Sequence, residues 1–340
     1  MTGAPRNYSP WRHFLERLAT VEPVDPCPIG APAAEVTAWQ ARARGRLVQL
    51  LEPWPARVPL ATEVLSSEDC GSYRRDTIVF DSEAAMSVPA FLLVPHERTT
   101  PGPAVLSQHG HGPGKAEVCG IDLGETAADH GHRLADAGYV VLAPDLRAFG
   151  KRADWQPPDR YGCDLNHMHL SMLGQTPLAL DLWDVARGLD VLAAHPLVDP
   201  DRIGMVGLSQ GGTMTLFMAA WDARIAAAVV SGYFSSWRAS AAVPWNMCGS
   251  QVLPGLLGQF EHVDLGALVA PRPLLIQSGT GDPLFPVDVA RTEHARLARV
   301  YGALGAADRL DHDVFEGGHE WRHERPAAFL DRWLRPFSTQ

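Results

Sequence analysis

Lysine is almost missing from this 340-residue chain: Lys115 and Lys151 are the only two, and arginine supplies the rest of the 29 basic residues. Acidic residues number 39, and the net charge of −10 argues against a dedicated nucleic-acid or anionic-membrane binder. No apolar run approaches the roughly 18 residues of a membrane span. The opening MTGAPRNYSPWRHF carries no apolar signal segment, so a cytoplasmic location is expected. Cysteine is sparse. Cys27, Cys70, Cys119, Cys163 and Cys248 are scattered, odd in number and without C-x-x-C pairing, so they are expected to be reduced, with no zinc knuckle. Internal repeats and low-complexity tracts are absent too. What is present is an ordinary globular composition, 46% hydrophobic and 20% charged, long enough to bury a sizeable core.

Residues 1 to 70 read as a proline-punctuated, helix-leaning extension, with helical spacing over 35–51 closed by Pro53 and Pro55. From about residue 71 to 340 the pattern is that of one α/β domain. Short apolar runs predict strands at 77–80, 88–94, 104–108, 139–143, 203–207, 226–231, 274–278 and 312–315. Amphipathic stretches predict helices at 126–137, 177–194, 211–221, 287–304 and 325–334. The first two strands can pair antiparallel, and the later ones read as a mostly parallel open sheet with helices on both faces. Such sheets bind ligands at the carboxyl ends of their strands. Two long segments leave those ends, 144–176 and 232–270. Both are read as irregular insertions whose aromatics (Phe149, Trp155 and Tyr161; Tyr233, Phe234, Trp237 and Trp245) wall a substrate pocket. Asp181 and Asp184 are expected on the polar side of the 177–194 helix, within reach of Arg187.

The sharpest motif is Gly207-Leu208-Ser209-Gln210-Gly211-Gly212, which ends a predicted strand and opens a predicted helix. G-x-S-x-G in that setting is a nucleophile elbow: the serine sits in a strained turn at the positive end of a helix, where developing negative charge is favoured. The partners of such a serine follow in the order acid, then histidine. Asp282 lies just past the strand at 274–278 and His319 just past the strand at 312–315, at the same edge of the sheet as Ser209. His319 would take the hydroxyl proton, with Asp282 orienting its ring. Two backbone N–H groups, from Gln210 and from His111 in His109-Gly110-His111-Gly112, would hold the oxyanion.

Other patterns carry less. His319-Glu320-Trp321-Arg322-His323 matches H-E-x-x-H, but Gly317-Gly318 before it and Pro326 after it disfavour the long helix a zinc site needs. Gly110 to Lys115 fails both dinucleotide and P-loop patterns.

With these residues placed, the chain resembles the α/β-hydrolases of the dienelactone hydrolase-related, acetyl xylan esterase-like branch, in particular the acetyl esterases that also deacetylate cephalosporin C. The resemblance rests on Gln108-His109-Gly110-His111, on Ala143-Pro144-Asp145-Leu146-Arg147, and on Asp201-Arg202-Ile203-Gly204 running into the elbow. Ala270-Pro271-Arg272-Pro273, Gly281-Asp282 and Gly318-His319-Glu320 complete it, over roughly residues 75–340. It implies an α/β-hydrolase fold and a serine esterase with Ser209, Asp282 and His319 as triad. It also implies an oxyanion hole from Gln210 and His111, with no metal and no organic cofactor. Serine stands here where dienelactone hydrolases proper carry cysteine, and His111 stands where the acetyl esterases commonly have tyrosine. The expected partner is a small-molecule ester or lactone, with no nucleic acid and no membrane; a homo-oligomer stays open.

Overall fold

The structure is a computed structural model that describes residues 6–121, 123, 128–156, 160–243 and 246–335. Among them nine strands form one sheet: β1 (Glu63–Asp69), β2 (Tyr73–Glu83), β3 (Met86–Pro95), β4 (Gly102–Gln108), β5 (Val140–Pro144), β6 (Val198–Leu208), β7 (Ile225–Ser231), β8 (Leu274–Gly279) and β9 (Leu310–Phe315). Their order across the sheet is β1-β2-β3-β5-β4-β6-β7-β8-β9. β1, β2, β3 and β5 pair antiparallel, and every remaining neighbour pair is parallel.

The helices are α1 (Pro10–Leu18), α2 (Ala33–Leu51), α3 (Lys115–Val118), α4 (His130–Asp136), α5 (Gly162–Ser171), α6 (Pro177–Ala194), α7 (Gln210–Trp221), α8 (Trp237–Ser240), α9 (His262–Val269), α10 (Val287–Ala303) and α11 (Glu324–Leu334). None is long and apolar enough to cross a membrane. The central strands are buried on both faces, and the period of two splits their side chains between two cores. Ala104, Leu106 and Met205 join α2, α6, α7, α9 and α10 on one face, through Trp39, Leu182, Phe217, Leu265 and Leu297. Val105 and Val206 join α4 and α11 on the other, through Leu134, Phe329 and Leu330.

Three expectations need correction. The segment before residue 71, read as a helix-leaning extension, also holds a strand and packs into the domain. Residues 63–69 form the edge strand β1, and α2 is fastened to the domain, with Gln40 Nε2 donating to the carbonyls of Ala267 and Ala270, both at 2.7 Å. The long segments are not irregular either, since 144–176 contains α5 and 232–270 contains α8 and α9. Asp181 and Asp184 are buried, because α6 is covered all round rather than amphipathic. Asp184 pairs with the Arg147 guanidinium at 2.9 and 3.0 Å, and Asp181 accepts the Arg147 backbone N–H at 2.9 Å. Arg187 turns to Asp190 instead. These bonds clamp the turn after β5 onto α6.

Candidate active site

β6 ends at Leu208, and the next residue has φ +60° and ψ −120°. A serine in that region stores on the order of 1–3 kcal/mol of strain, which the surroundings must hold. Here they do. The Ser209 N–H donates to Ser231 O at 3.0 Å. The elbow also presses against β4 so closely that a Cβ on Gly211 would lie 2.2 Å from Gln108 O, which leaves glycine as the only fit. Ser209 occupies the N-cap of α7, yet its side chain makes no capping hydrogen bond. Gln210 follows as the first helical residue, so its N–H is one of the donors a helix start leaves without an intrahelical partner.

The turn after β4 runs alongside this elbow. The position a Gly110 Cβ would take is 3.3 Å from Ser209 Cβ and 3.9 Å from Gln210 N. Buried His109 fixes the turn: its Nδ1–H donates to Gly110 O at 2.7 Å and its Nε2 accepts the Leu146 N–H at 2.9 Å. Burial holds its pKa below the ordinary value, which keeps the ring neutral for that two-sided bond. Lys115, one of the two lysines, is buried in an ion pair with Asp145, and Asp145 also accepts the N–H groups of Lys115 and Lys151. A buried pair of this kind ties the turn after β4 to the turn after β5.

His319 follows β9, and its Nδ1 lies 2.8 Å from Asp282 Oδ2. Asp282 spends its other oxygen on the N–H groups of Leu284 and Phe285, at 2.8 and 3.2 Å, so the carboxylate cannot rotate freely. The His319 ring stacks on Phe285 at 5.9 Å between centroids. Its Nε2 is buried and has no hydrogen-bond partner. With Nδ1 donating to a carboxylate, Nε2 is the basic nitrogen.

Ser209, His319, Gly110 and His111 line one cavity of about 530 Å³, whose wall also includes Cys163, Asp164, Asn246, Met247, Cys248 and Phe285. Among the described residues that line it there is no arginine or lysine, while Asp164 and Glu117 are acidic. Of the described aromatics read from the sequence as pocket wall, Tyr161 lines the cavity and the others do not. Tyr233, Phe234 and Trp237 are buried in the core around His262, with the Trp237 indole N–H donating to Phe260 O at 2.7 Å. Phe149 is partly buried and stands behind the cavity wall, its ring centroid 5.3 Å from that of His111. Trp245 lies outside the described residues.

Sequence spacing gave no hint of Cys163 and Cys248. Cys248 Sγ lies 3.0 Å from His111 Nε2 and 2.9 Å from Ser250 Oγ. The hydrogen bond from Cys163 leads the causes that bring the Cys248 thiol down to about 4, burial opposes it, and His111 adds to it. Burial works against a charge on His111, but its bond to Cys248 raises its pKa overall. Cys27 and Cys119, by contrast, are pushed by burial up to about 12.

A mostly parallel sheet with a strained serine after a central strand and an acid–histidine pair at the carboxyl ends of β8 and β9 defines an α/β-hydrolase. The chain belongs to the Abhydrolase family, whose model matches residues 29–292, α2 included. It is 31% identical over 308 residues to the Bacillus subtilis (strain 168) protein "Putative hydrolase YtaP", covering 87% of this chain and all of that one. Its fold is similar to that of the Bacteroides fragilis NCTC 9343 protein BF1801, described as a "putative acetyl xylan esterase", with TM-score 0.78, 19% identity, and 96% and 90% of the two chains covered. It is similar also to the glucuronoyl esterase of Solibacter usitatus, with TM-score 0.66, 17% identity, and 92% and 98% covered. At such identities the likeness establishes a shared fold.

Proposed function

We propose that the protein is a serine carboxylic ester hydrolase acting through an acyl-enzyme on short-acyl, acetyl-like esters or a lactone of a small molecule. The observation that carries this reading is the His319–Asp282 pair, whose free Nε2 opens on the same cavity as a serine forced out of ordinary backbone geometry. Ser209 Oγ attacks the ester carbonyl while His319 Nε2 takes its proton, and Asp282 holds the tautomer and stabilises the imidazolium. The oxyanion accepts the N–H groups of Gln210 and His111, each worth about 3 kcal/mol to the transition state. His319 then returns the proton to the leaving alkoxide. Water, deprotonated by the same nitrogen, attacks the acyl-serine and releases the acid.

The cavity volume suits a small ester. Its acidic lining, which holds no arginine or lysine among the described residues, favours substrates that carry no carboxylate of their own. Similarity to proteins named for acetyl xylan and glucuronoyl esterases supports ester cleavage over other hydrolyses.

The test is initial-rate hydrolysis of p-nitrophenyl acetate, butyrate and octanoate with a chelator present throughout. Rates should fall with acyl length, and Ser209→Ala should lower kcat by about 10⁴-fold or more with binding little changed. A folded wild type inert on all three would turn the assignment toward C–C bond or thioester hydrolysis, or toward ligand binding without catalysis.

A further inference from the structure

Three side chains in the cavity wall have no part in that chemistry. His111 comes from the turn after β4, Cys163 from the first turn of α5, and Cys248 from the segment between α8 and α9. The oxyanion role given to His111 uses its backbone N–H, which leaves the imidazole spare. His111 Nε2, Cys163 Sγ and Cys248 Sγ all lie within 4.8 Å of one another. The Nε2–Sγ separation to Cys248 is 3.0 Å.

We propose that His111, Cys163 and Cys248 form a binding site for a soft divalent cation of the zinc type, with the fourth coordination position open to the cavity. Two sulfurs and one imidazole are a zinc ligand set, and a three-ligand site with an open position is the form zinc takes where water or a substrate oxygen also binds. Bond lengths of 2.0–2.3 Å in a tetrahedron place ligand atoms about 3.5–3.8 Å apart, which these side chains reach by shifts of under about 1 Å. Hard cations such as Mg²⁺ and Ca²⁺ are disfavoured by the sulfurs. The surroundings supply outer support: Ser250 Oγ sits 2.9 Å from Cys248 Sγ, the Phe149 ring braces the imidazole, and Asp164 Oδ1 accepts the Gly249 N–H at 2.8 Å, holding the Cys163 and Cys248 segments together. The ligand positions are 52 and 85 residues apart in the chain, so no spacing motif marks them. An occupied site would fasten three segments that only the fold brings together, and it stands whether or not the ester reading does.

The experiment is anaerobic titration of the reduced protein with Co²⁺, after confirming that all five cysteines are free thiols. A near-ultraviolet thiolate-to-cobalt band should saturate at one equivalent, be abolished by stoichiometric Zn²⁺, and accompany a rise in melting temperature. Cys248→Ser and Cys163→Ser should each weaken binding by about 100-fold or more, and His111→Gln by about tenfold. Three separate variants keep the test open if one folds poorly. Absence of the band in wild type, equal binding by Cys248→Ser, or a reduced protein that closes to three free thiols before it can bind would each overturn the site.

Discussion

Three short turns at the ends of β6, β8 and β9 carry Ser209, Asp282 and His319, and two long segments after β5 and β7 carry most of the nearby aromatic residues. The turns behave as their sequence patterns imply, because the sheet dictates where a strand ends. The segments diverge from each other. Between β5 and α6, Trp155 and Tyr161 are 85% and 72% exposed, whereas between β7 and α9, Tyr233, Phe234 and Trp237 are at most 3% exposed. Within the second segment these rings pack around His262, and Trp237 satisfies its indole N–H on Phe260 O, so burying that ring carries no hydrogen-bond penalty. An aromatic-rich loop at a ligand-binding edge is therefore as apt to be core as pocket wall.

If turns hold chemistry and the second segment holds stability, substitutions should separate the two. The largest effect is expected at Asp282→Asn, which keeps the shape but invites the wrong tautomer of His319. kcat should fall by about 10³–10⁴-fold, as in serine proteases of this chemistry, with the thermal midpoint little changed. Phe234→Ala should do the reverse: about 3–5 kcal/mol lost in denaturant unfolding, with kcat/KM near wild type at temperatures where the protein stays folded. Loss of activity without loss of stability would return Phe234 to the pocket.

Gly232 sits where the two regions meet. Its φ is +52°, and a Cβ there would stand 2.9 Å from His319 Cε1. Gly232→Ala should displace that ring and lower kcat by about 10–100-fold, with KM changed far less.

His262 supplies a pH test of the buried side. Burial brings it down to about 3, against about 6.5 for an exposed histidine. Between those values the unfolded chain binds the proton and the folded one does not, so its stabilising contribution is full above pH 6.5 and is lost as pH falls toward 3. His262→Gln should flatten unfolding free energy against pH by up to about 1.4 kcal/mol per unit in that window. The smallest effect concerns the cavity's acidic lining: with chelator present, a neutral ester should be preferred about five- to tenfold over an otherwise similar one bearing a carboxylate.

How much was legible follows the same division. The elbow, Asp282, His319 and all eight strands expected from apolar runs are local features, each visible as a pattern and a glycine-rich turn. β1 (EVLSSED) was illegible because every residue of this edge strand is exposed, leaving no apolar alternation to read. α9 hid inside a segment read as loop. The His111, Cys163 and Cys248 cluster depends on three chain-distant segments meeting, which periodicity cannot register. The burial of Asp181 and Asp184 likewise depends on Arg147 arriving from another strand's end.

The most direct test of the central claim is to label the protein with a fluorophosphonate ester, which traps a serine nucleophile activated by its histidine, and to map the adduct by peptide mass spectrometry. One stoichiometric adduct on Ser209, absent from Ser209→Ala and slowed by about 10³-fold or more in His319→Gln, is the predicted result. An unlabelled Ser209 in folded wild type, or an adduct on Cys248 in its place, would contradict the account.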